Sequence, residues 1–235
     1  MSALLIKLAL GYLLGSVVGS LVVGRLRGVD IRKIGSGNAG ATNAMRTQGN
    51  AFAMTVAAID IGKGMLAAGV IAPLTLFGVD VLTPAATALA CGMAAALGHC
   101  FPVWHGFRGG KGAGTLFGAI AIVFPWIALA MLGVWLLAVI VTGYAGLATL
   151  LAGVAFPMAI LAADASQDAA VVALSIGTAL LLVWMHRSNI ARLANGTEHR
   201  FERARLFTRR RPRRAGHGAT GPADDAPASN DQSMT

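Results

Sequence analysis

The sequence predicts an all-α, polytopic integral membrane protein with seven transmembrane helices, an N-terminus outside the cell and a C-terminus in the cytoplasm. The first observation is composition: 56% of the residues are hydrophobic, 12% are charged, and the mean hydropathy is +0.68. The second is that long uncharged runs alternate with short basic segments. A chain this apolar is not disordered, and as a soluble domain it would lack the polar residues needed to cover its surface.

The apolar runs set the positions of the predicted helices. Residues 112–163 form one run of 52 residues without a charge, which as a single helix would measure about 78 Å. The hydrocarbon core of a bilayer is only about 30 Å thick, so we expect breaks at Pro125 and at Thr142, Gly143 and Tyr144. The seven predicted helices cover 8–24, 49–72, 81–98, 112–124, 126–141, 145–163 and 169–185.

The basic residues predict the orientation of these helices. With the N-terminus outside, the cytoplasmic segments hold 17 of the 19 lysines and arginines, as the positive-inside rule requires. Lys7 is then expected in the outer segment, and Lys63 lies within the second helix. The first helix has no signal-peptide cleavage pattern, so we expect it to stay in the chain. The cytoplasmic segments are 25–48, 99–111, 142–145 and the residues after 186.

Residues 1–207 are expected to form the membrane domain, and residues 208–235 a basic, disordered cytoplasmic tail. The tail begins with five arginines within positions 209–214, which we expect to contact anionic lipid headgroups. This basic run is short, and most other cations flank apolar helices. The net charge of +9 is therefore not typical of a nucleic-acid-binding protein, and no nucleic-acid partner is expected.

The first cytoplasmic segment contains a glycine-rich polar sequence. Gly37 would let backbone N–H groups approach an anion closely, and Arg46 would add a forked positive charge. Thr42 or Asn43 could cap the next helix, whose N-terminus favours an anion. The alternative is a loop that only turns the chain. The candidate polar side chains are Ser36, Asn38, Thr42, Asn43 and Arg46.

The second segment, 98–115, places two cations in a flexible backbone. Arg108 and Lys111 are interleaved with glycines directly before a predicted helix. That arrangement suits phosphate binding, although the spacing of a P-loop is absent. The alternative is ordinary positive-inside anchoring. Phe101, Trp104 and Phe107 are expected at the level of the lipid headgroups.

The third segment, 186–198, begins where the last predicted helix leaves the membrane. His186, Asn189 and Arg192 would share one face if the helix continued. The alternative is a solvated helix end, with Arg192 and Glu198 as surface charges.

Asp60 and Lys63 lie three residues apart inside the second predicted helix, and therefore on one face. We favour a structural ion pair that orients this helix over a direct substrate contact.

Several familiar catalytic patterns are missing from the sequence. It has no His-x₄-Asp box, no HExxH zinc motif and no GxSxG nucleophile elbow. His99 and His105 are expected to be hydrogen-bonded structural residues, and Cys91 and Cys100 to be packing residues. No metal or cofactor is expected.

The three polar segments resemble the three cytoplasmic motifs of the bacterial acyl-phosphate:glycerol-3-phosphate acyltransferases, the PlsY family. Residues 36–43 with Arg46 are similar to SGNxGATN and its following arginine. Residues 98–115 are similar to GHxFPVxxxFKGGKGxxT, with Arg108 in place of lysine, and residues 186–198 to HxxNIxRLxxGxE. Residues 60–64 also resemble a DxxKG element of the family.

One loop departs from the family pattern. Where the family usually has a sequence like TRYVSLxS, this chain has Gly143 and Gly146 in place of the basic residue and the central serine. If those two groups help to hold phosphate in the family, Thr142 or Thr149 would have to serve as a donor here.

The resemblance implies a reaction and a place for it. A fatty acyl group passes from acyl phosphate to the sn-1 hydroxyl of glycerol 3-phosphate, giving lysophosphatidate and phosphate, the first step of phospholipid synthesis. It implies a membrane acyltransferase over residues 1–207, in the bacterial inner membrane, with its active site at the cytoplasmic face. It also implies contact with membrane lipid and a functional link to the enzyme that makes acyl phosphate.

The resemblance also implies roles for individual residues. Because acyl phosphate is already activated, the enzyme mainly has to position the hydroxyl and stabilise charge. Asn189 could donate to the carbonyl oxygen, and the base is either His186 or the departing phosphate. The expected catalytic residues are His186, Asn189, Ser36, Arg46 and Lys111. The expected substrate-binding residues are Gly37, Asn38, Thr42, Asn43, Arg108, Gly109, Gly110, Gly112 and Glu198.

A transporter for a phosphorylated metabolite is the main alternative. It is disfavoured because the sequence has no inverted repeat and no matched pair of broken helices. A purely structural membrane protein would have no use for three such loops.

Overall fold

The computed structural model describes residues 2–76, 81–163 and 167–201, and every regular element in these ranges is helical. The predicted tail, 208–235, and its boundary at 207 lie outside the described residues. Two short 3₁₀ turns, Ile31–Lys33 and Val103–His105, lie in loops, and a π-helical turn, Ala67–Ile71, extends α4. The helices are α1 Ser2–Gly15, α2 Gly19–Leu26, α3 Ala41–Gln48, α4 Asn50–Leu66, α5 Pro84–Cys100, α6 Ala113–Val123, α7 Pro125–Thr142, α8 Ala145–Ala162, α9 Ala169–Met185 and α10 Arg187–Ala194.

A helix occupies each of the seven predicted segments, but not all are long enough to cross a membrane. In the described residues, five helical stretches have the required length and hydropathy, and a sixth is added if α9 and α10, bent by 56°, count as one span. α6 has 11 residues and measures roughly 16 Å, about half of a hydrocarbon core. The five stretches are Ala3–Leu26, Asn50–Ile71, Pro84–His105, Pro125–Thr142 and Ala145–Ala162.

The two predicted breaks in the long apolar run are confirmed. Pro125 begins α7, where its missing N–H costs no helical hydrogen bond. Gly143 follows the last residue of α7 with a left-handed φ of 78°, which favours glycine. As a result, the observed bounds of α6, α7 and α8 lie within one residue of the predicted ones.

The first predicted helix is not continuous, because the chain breaks between α1 and α2. The ammonium group of Lys63 in α4 donates to the carbonyls of Gly15 and Val17, both at 2.9 Å. The backbone N–H of Gly19 donates to the Oδ1 of Asp60 at 3.1 Å, not to Gly15 as a continuous helix would require. The buried pair of α4 therefore replaces hydrogen bonds that the broken helix has lost.

The placement of Lys7 in an outer segment is wrong. α1 begins at Ser2, because the apolar residues before Lys7 continue the helix towards the N-terminus. Lys7 therefore lies within α1 and is 1% exposed.

Small residues let the helices pack closely around α5. A Cβ added to Gly15 would overlap the backbone of Ala95, and one added to Gly98 would overlap that of Tyr12. Close backbone approach at glycine is a usual means of helix association in lipid. Large apolar side chains such as Trp126 and Leu137 instead cover the outer surface of α7.

The loops that carry the three motifs lie at one end of this bundle. Arg32 in the first loop donates to the carbonyl of His105 in the second. Lys111 in the second loop donates to Asn189 in α10. The N–H of Phe201 donates to Gly143 in the turn between α7 and α8. The fold therefore brings together segments that are far apart in sequence.

Candidate active site

The three motifs form the wall of one open cavity of about 310 Å³. The first loop contributes Gly37 and Asn38, the second contributes residues 108–111, and the third contributes Arg187 and Ser188. The predicted convergence of the three segments is therefore present in the structure. The full lining is Arg32, Gly37, Asn38, Cys100, Arg108, Gly109, Gly110, Lys111, Met185, Arg187 and Ser188.

The glycines of the second loop fold it back against the end of α5. The N–H groups of Gly109 and Gly110 donate to the carbonyls of Cys100 and His99, both at 3.1 Å. A Cβ at Gly109 would overlap the carbonyl oxygen of His99, and one at Gly110 would overlap the His99 ring. These two N–H groups are engaged within the loop. The glycines therefore shape the cavity wall and do not offer their N–H groups to an anion.

A buried cluster of Asp60, Lys63 and His99 supports the second loop, and the His99 ring packs directly against Gly110. The Nζ of Lys63 lies 3.0 Å from the Oδ1 of Asp60 and 2.8 Å from the Nδ1 of His99. All three side chains are buried. This agrees with the predicted structural roles of the Asp60–Lys63 pair and of His99, because the three side chains bind each other and the backbone.

Lys111 projects from the second loop to the third motif, where its ammonium group donates to the Oδ1 of Asn189. Burial, together with the positive charges of Arg192, Arg187 and Arg46, lowers the pKa of Lys111 to about 8, against the opposing charge of Glu198. A lysine held among three arginines favours an anion beside it, because an anion offsets the repulsion.

The third motif bends at His186 instead of continuing as one helix. α9 ends at Met185 and α10 begins at Arg187, so Asn189 and Arg192 share a face of α10 while His186 lies at the bend. The Nδ1 of His186 donates to the carbonyl of Leu182 at 2.8 Å. Its Nε2 is then the nitrogen that can accept a proton.

The chain folds back after α10, so that Glu198 binds both residues on that face of the helix, Asn189 and Arg192. Its Oε1 accepts from the Nδ2 of Asn189 at 2.9 Å, and its Oε2 accepts from the Nε of Arg192 at 2.7 Å. Glu198 is 9% exposed, so the alternative of solvated surface charges does not describe this pair.

The first motif is held in shape by Asn43, which is 1% exposed. Its Oδ1 accepts from the N–H of Ser36 at 2.9 Å, and its Nδ2 donates to Ile31 at 3.1 Å and Ile34 at 3.0 Å. The prediction that Thr42 or Asn43 caps a helix is wrong. α3 begins at Ala41 after Gly40, which provides no side-chain cap, and the amide of Asn43 is used by the preceding loop.

The structure separates the predicted site residues into three groups. Of those expected to bind substrate or catalyse, Gly37, Asn38, Arg108, Gly109, Gly110 and Lys111 line the cavity. Asn189 and Glu198 join it through Lys111. The remaining predicted residues, Ser36, Thr42, Asn43, Arg46, Gly112 and His186, are not on the cavity wall.

Arg32, Arg187 and Ser188 line the cavity but were not singled out from the sequence. Arg32 forms an ion pair with Asp30 at 3.0 Å and donates to the carbonyls of His105 and Arg108 at 2.9 and 3.1 Å. The Arg32 guanidinium lowers the pKa of Asp30 to about 2. The sequence contained one indication of this ion pair, because Asp30 is the only acidic residue between positions 25 and 48 and lies two positions before Arg32.

The two glycines that depart from the family pattern have structural consequences here. A Cβ at Gly146 would lie 2.6 Å from the Nδ2 of Asn189, and the carbonyl of Gly143 accepts from Phe201. The suggested donor role of Thr142 or Thr149 is not supported. Their hydroxyls donate to Ala138 and Ala145 within their own helices, and a hydroxyl has a single proton to give.

Together, the fold and the site define a multi-pass membrane protein with a cation-lined cavity at one end of its helix bundle. A family model described as glycerol-3-phosphate acyltransferase matches residues 5–196. The chain belongs to this family, whose structurally solved members include PlsY.

Curated relatives and solved structures agree with this assignment. A glycerol-3-phosphate acyltransferase of Sinorhizobium fredii is 40% identical over 200 residues, covering 84% of this chain and 92% of the relative. One of Maricaulis maris is 42% identical over 204 residues, covering 85% and 89%. The crystal structure of PlsY (YgiH), an integral membrane glycerol 3-phosphate acyltransferase, in its glycerol 3-phosphate form has a TM-score of 0.76 and 36% identity. That comparison covers 86% of this chain and 96% of the other.

Proposed function

We propose that this protein transfers a fatty acyl group from acyl phosphate to the sn-1 hydroxyl of glycerol 3-phosphate. The products are lysophosphatidate and inorganic phosphate, and the reaction is the first step of phospholipid synthesis. The observation that carries the proposal is the hydrogen bond from Lys111 to Asn189 beside a cavity lined by Arg32, Arg108 and Arg187. This contact supports the proposal because an ammonium group suited to binding phosphate lies beside an amide suited to donating to a carbonyl.

The proposed chemistry needs no covalent enzyme intermediate. The hydroxyl oxygen attacks the carbonyl carbon of acyl phosphate, the bond from that carbon to the phosphate oxygen breaks, and the hydroxyl proton leaves. Its acceptor is either the Nε2 of His186 or the departing phosphate. One N–H of the Asn189 amide donates to Glu198, so the second remains for the carbonyl oxygen as charge develops there.

The charges around the cavity suit two phosphate-bearing substrates. We assign the phosphate of glycerol 3-phosphate to Lys111 and to the cavity wall shaped by Gly109 and Gly110, with Gly112 beside Lys111, and further phosphate contacts to Ser36, Asn38 and Arg46. Gly37, Thr42, Asn43, Arg108 and Glu198 complete the proposed binding region. These cations repel one another, and each phosphate that binds between them lowers that electrostatic repulsion.

The proposed orientation has seven crossings, in which the 11-residue α6 crosses a locally thinned bilayer, an outer N-terminus and the active site at the cytoplasmic face of the bacterial inner membrane. The ends of α2, α5, α7 and α9 meet at the cavity end of the bundle, which supports alternate passes through α4, α6 and α8. Residues 1–207 would form the acyltransferase domain and residues 208–235 a cytoplasmic tail on anionic lipid. We expect the acyl phosphate to come from an enzyme that works beside this one.

The test uses the full-length protein in lipid nanodiscs with palmitoyl phosphate and glycerol 3-phosphate, following released phosphate and lysophosphatidate. We expect phosphate release that requires glycerol 3-phosphate. Lys111→Ala should raise the apparent KM for glycerol 3-phosphate at least about tenfold, since one charge-assisted contact contributes about 1.5–3 kcal/mol. The matched control is Lys33→Ala, an exposed lysine away from the cavity wall, which should leave KM unchanged.

Two results would contradict the proposal. Product formation from acyl-CoA but not from acyl phosphate would overturn the assigned donor. Equal KM values for Lys111→Ala and the wild type would overturn the phosphate assignment.

A further inference from the structure

Residues 198–201, which start at the last residue of the third motif, run from α10 to α3 and form what we call the C-terminal strap. At its start, Glu198 binds Asn189 and Arg192. At its end, the ring of Phe201 lies against the guanidinium of Arg46, with 4.7 Å between the Arg46 Cζ and the ring centroid. The strap therefore joins the third motif to the first.

The turn between α7 and α8 anchors the second half of the strap. The N–H of Phe201 donates to the carbonyl of Gly143 at 2.9 Å. The Nε of Arg200 donates to the carbonyl of Thr142 at 3.0 Å, and its guanidinium lies 5.2 Å from the centroid of the Tyr144 ring. Two hydrogen bonds and one cation–π contact thus fix where the Phe201 ring lies.

Arg46 is half-buried, and the Cζ of its guanidinium lies over the face of the Phe201 ring. In the described ranges of the chain, that guanidinium forms no hydrogen bond or ion pair. Burial lowers the pKa of Arg46, the charge of Glu198 raises it, and Arg192 lowers it. The Arg46 guanidinium is therefore held near the site while its N–H donors remain available to a ligand.

Stacking and anion binding use different parts of a guanidinium. An aromatic ring contacts the flat face, whereas the five N–H donors lie in the plane and match a phosphate edge-on. Phe201 can therefore fix the plane of Arg46 while leaving its donors available.

We propose that Phe201 is a positioning residue: the C-terminal strap stacks its ring on Arg46 and so orients the arginine for a substrate phosphate. The inference rests on the proposed function, because it assumes that Arg46 binds a phosphate group. Phe201 lies beyond all three motifs that carry the family resemblance, and it acts through Arg46 without touching substrate.

The kinetic test compares full-length Phe201→Leu and Phe201→Tyr with the wild type in nanodiscs. We expect Phe201→Leu to raise the KM for one of the two phosphate-bearing substrates about three- to tenfold, with kcat within about twofold. Phe201→Tyr keeps the aromatic face and should restore the wild-type KM. In an Arg46→Ala background, Phe201→Leu should have no further effect, which a general structural role would not produce. His199→Ala, an exposed strap residue, is the control.

A second readout does not depend on catalysis. Phenylglyoxal modifies accessible arginines, and its rate at Arg46 can be followed by peptide mass spectrometry on the intact protein. Removing the ring in Phe201→Leu should speed labelling of Arg46, and Arg200→Gln, which loosens the strap at Thr142, should do so to a lesser extent. Arg27, stacked on Phe52, provides an internal reference whose rate should not change.

The outcomes separate the two proposals. A wild-type protein that makes no lysophosphatidate would reject the proposed function, whereas the labelling rates would still report whether Phe201 covers Arg46. Unchanged labelling and unchanged KM in Phe201→Leu would overturn the strap proposal. A KM effect of equal size in the Arg46→Ala background would also overturn it.

Discussion

The ammonium group of Lys111 donates a hydrogen bond to the side-chain oxygen of Asn189, which lies 78 residues later in the chain. The amide of Asn189 in turn donates to Glu198, which also binds Arg192. This series of contacts fixes the cation of the second loop relative to the third motif. A substitution at any of these residues should therefore alter the position of the Lys111 ammonium group.

The first prediction concerns the pH dependence of substrate capture. Burial and neighbouring arginines lower the pKa of Lys111 to about 8, so the side chain is positive below that pH and neutral above it. We expect kcat/KM for glycerol 3-phosphate to fall as the pH rises above about 8. Lys111→Arg should retain its kcat/KM at higher pH, since arginine stays charged. Parallel profiles for the two proteins between pH 6 and 10 would show that another group controls this step.

The second prediction tests Glu198 through the same titration. The negative charge of Glu198 raises the pKa of Lys111 against the surrounding arginines. Glu198→Gln keeps an acceptor for Asn189 but removes the charge, so the alkaline fall in kcat/KM should begin at a lower pH than in the wild type. The measurement is the pH profile of both proteins under identical conditions. A midpoint that stays in place would mean that Glu198 does not influence Lys111.

The third prediction concerns the space that Gly146 leaves for Asn189. A Cβ at this position would lie 2.6 Å from the Asn189 Nδ2 and 3.1 Å from its Cβ. Gly146→Ala should therefore displace the amide and lower kcat by about tenfold, equivalent to about 1.4 kcal/mol in the barrier. Gly133→Ala, also inside a helix but with open space around the added carbon, is the matched control and should keep its activity. Similar turnover in both variants would refute the steric argument.

The fourth prediction concerns the buried pair of α4. Lys63→Met would leave Asp60 without its ion-pair partner and the carbonyls of Gly15 and Val17 without their donor. Removing one member of a buried pair costs about 3–5 kcal/mol, so we expect a clear drop in melting temperature in detergent. Lys33→Met changes an exposed lysine and should leave the melting temperature in place. In the Asp60→Asn/Lys63→Met double variant the loss should be smaller than the sum of the single losses.

The sequence was informative where local chemistry decides the structure. Pro125 begins a helix and Gly143 ends one because of their own backbone properties, and the bounds of α6 to α8 were therefore predicted to within one residue. The convergence of the three motifs could also be predicted, because alternate loops of a membrane bundle lie on the same side.

Features that depend on distant partners could not be predicted in this way. The break after Gly15 has no proline, and its hydrogen bonds come from Asp60 and Lys63, more than 40 positions later. Asn43 looked like a cap from its neighbours, yet its amide is taken by Ile31, Ile34 and Ser36. Phe201 belongs to no motif, and its role depends on where the strap crosses Gly143.

The broken first helix also constrains the order in which the chain can be assembled in a membrane. A backbone carbonyl that enters hydrocarbon without a donor costs several kcal/mol, and Lys63 supplies the donor for Gly15 and Val17. Lys63 follows Gly15 by 48 residues, so α1 and α2 are synthesised before this donor exists. We therefore expect the first span to be unstable in the bilayer until Lys63 reaches it. We expect the first two spans to enter the lipid as a pair.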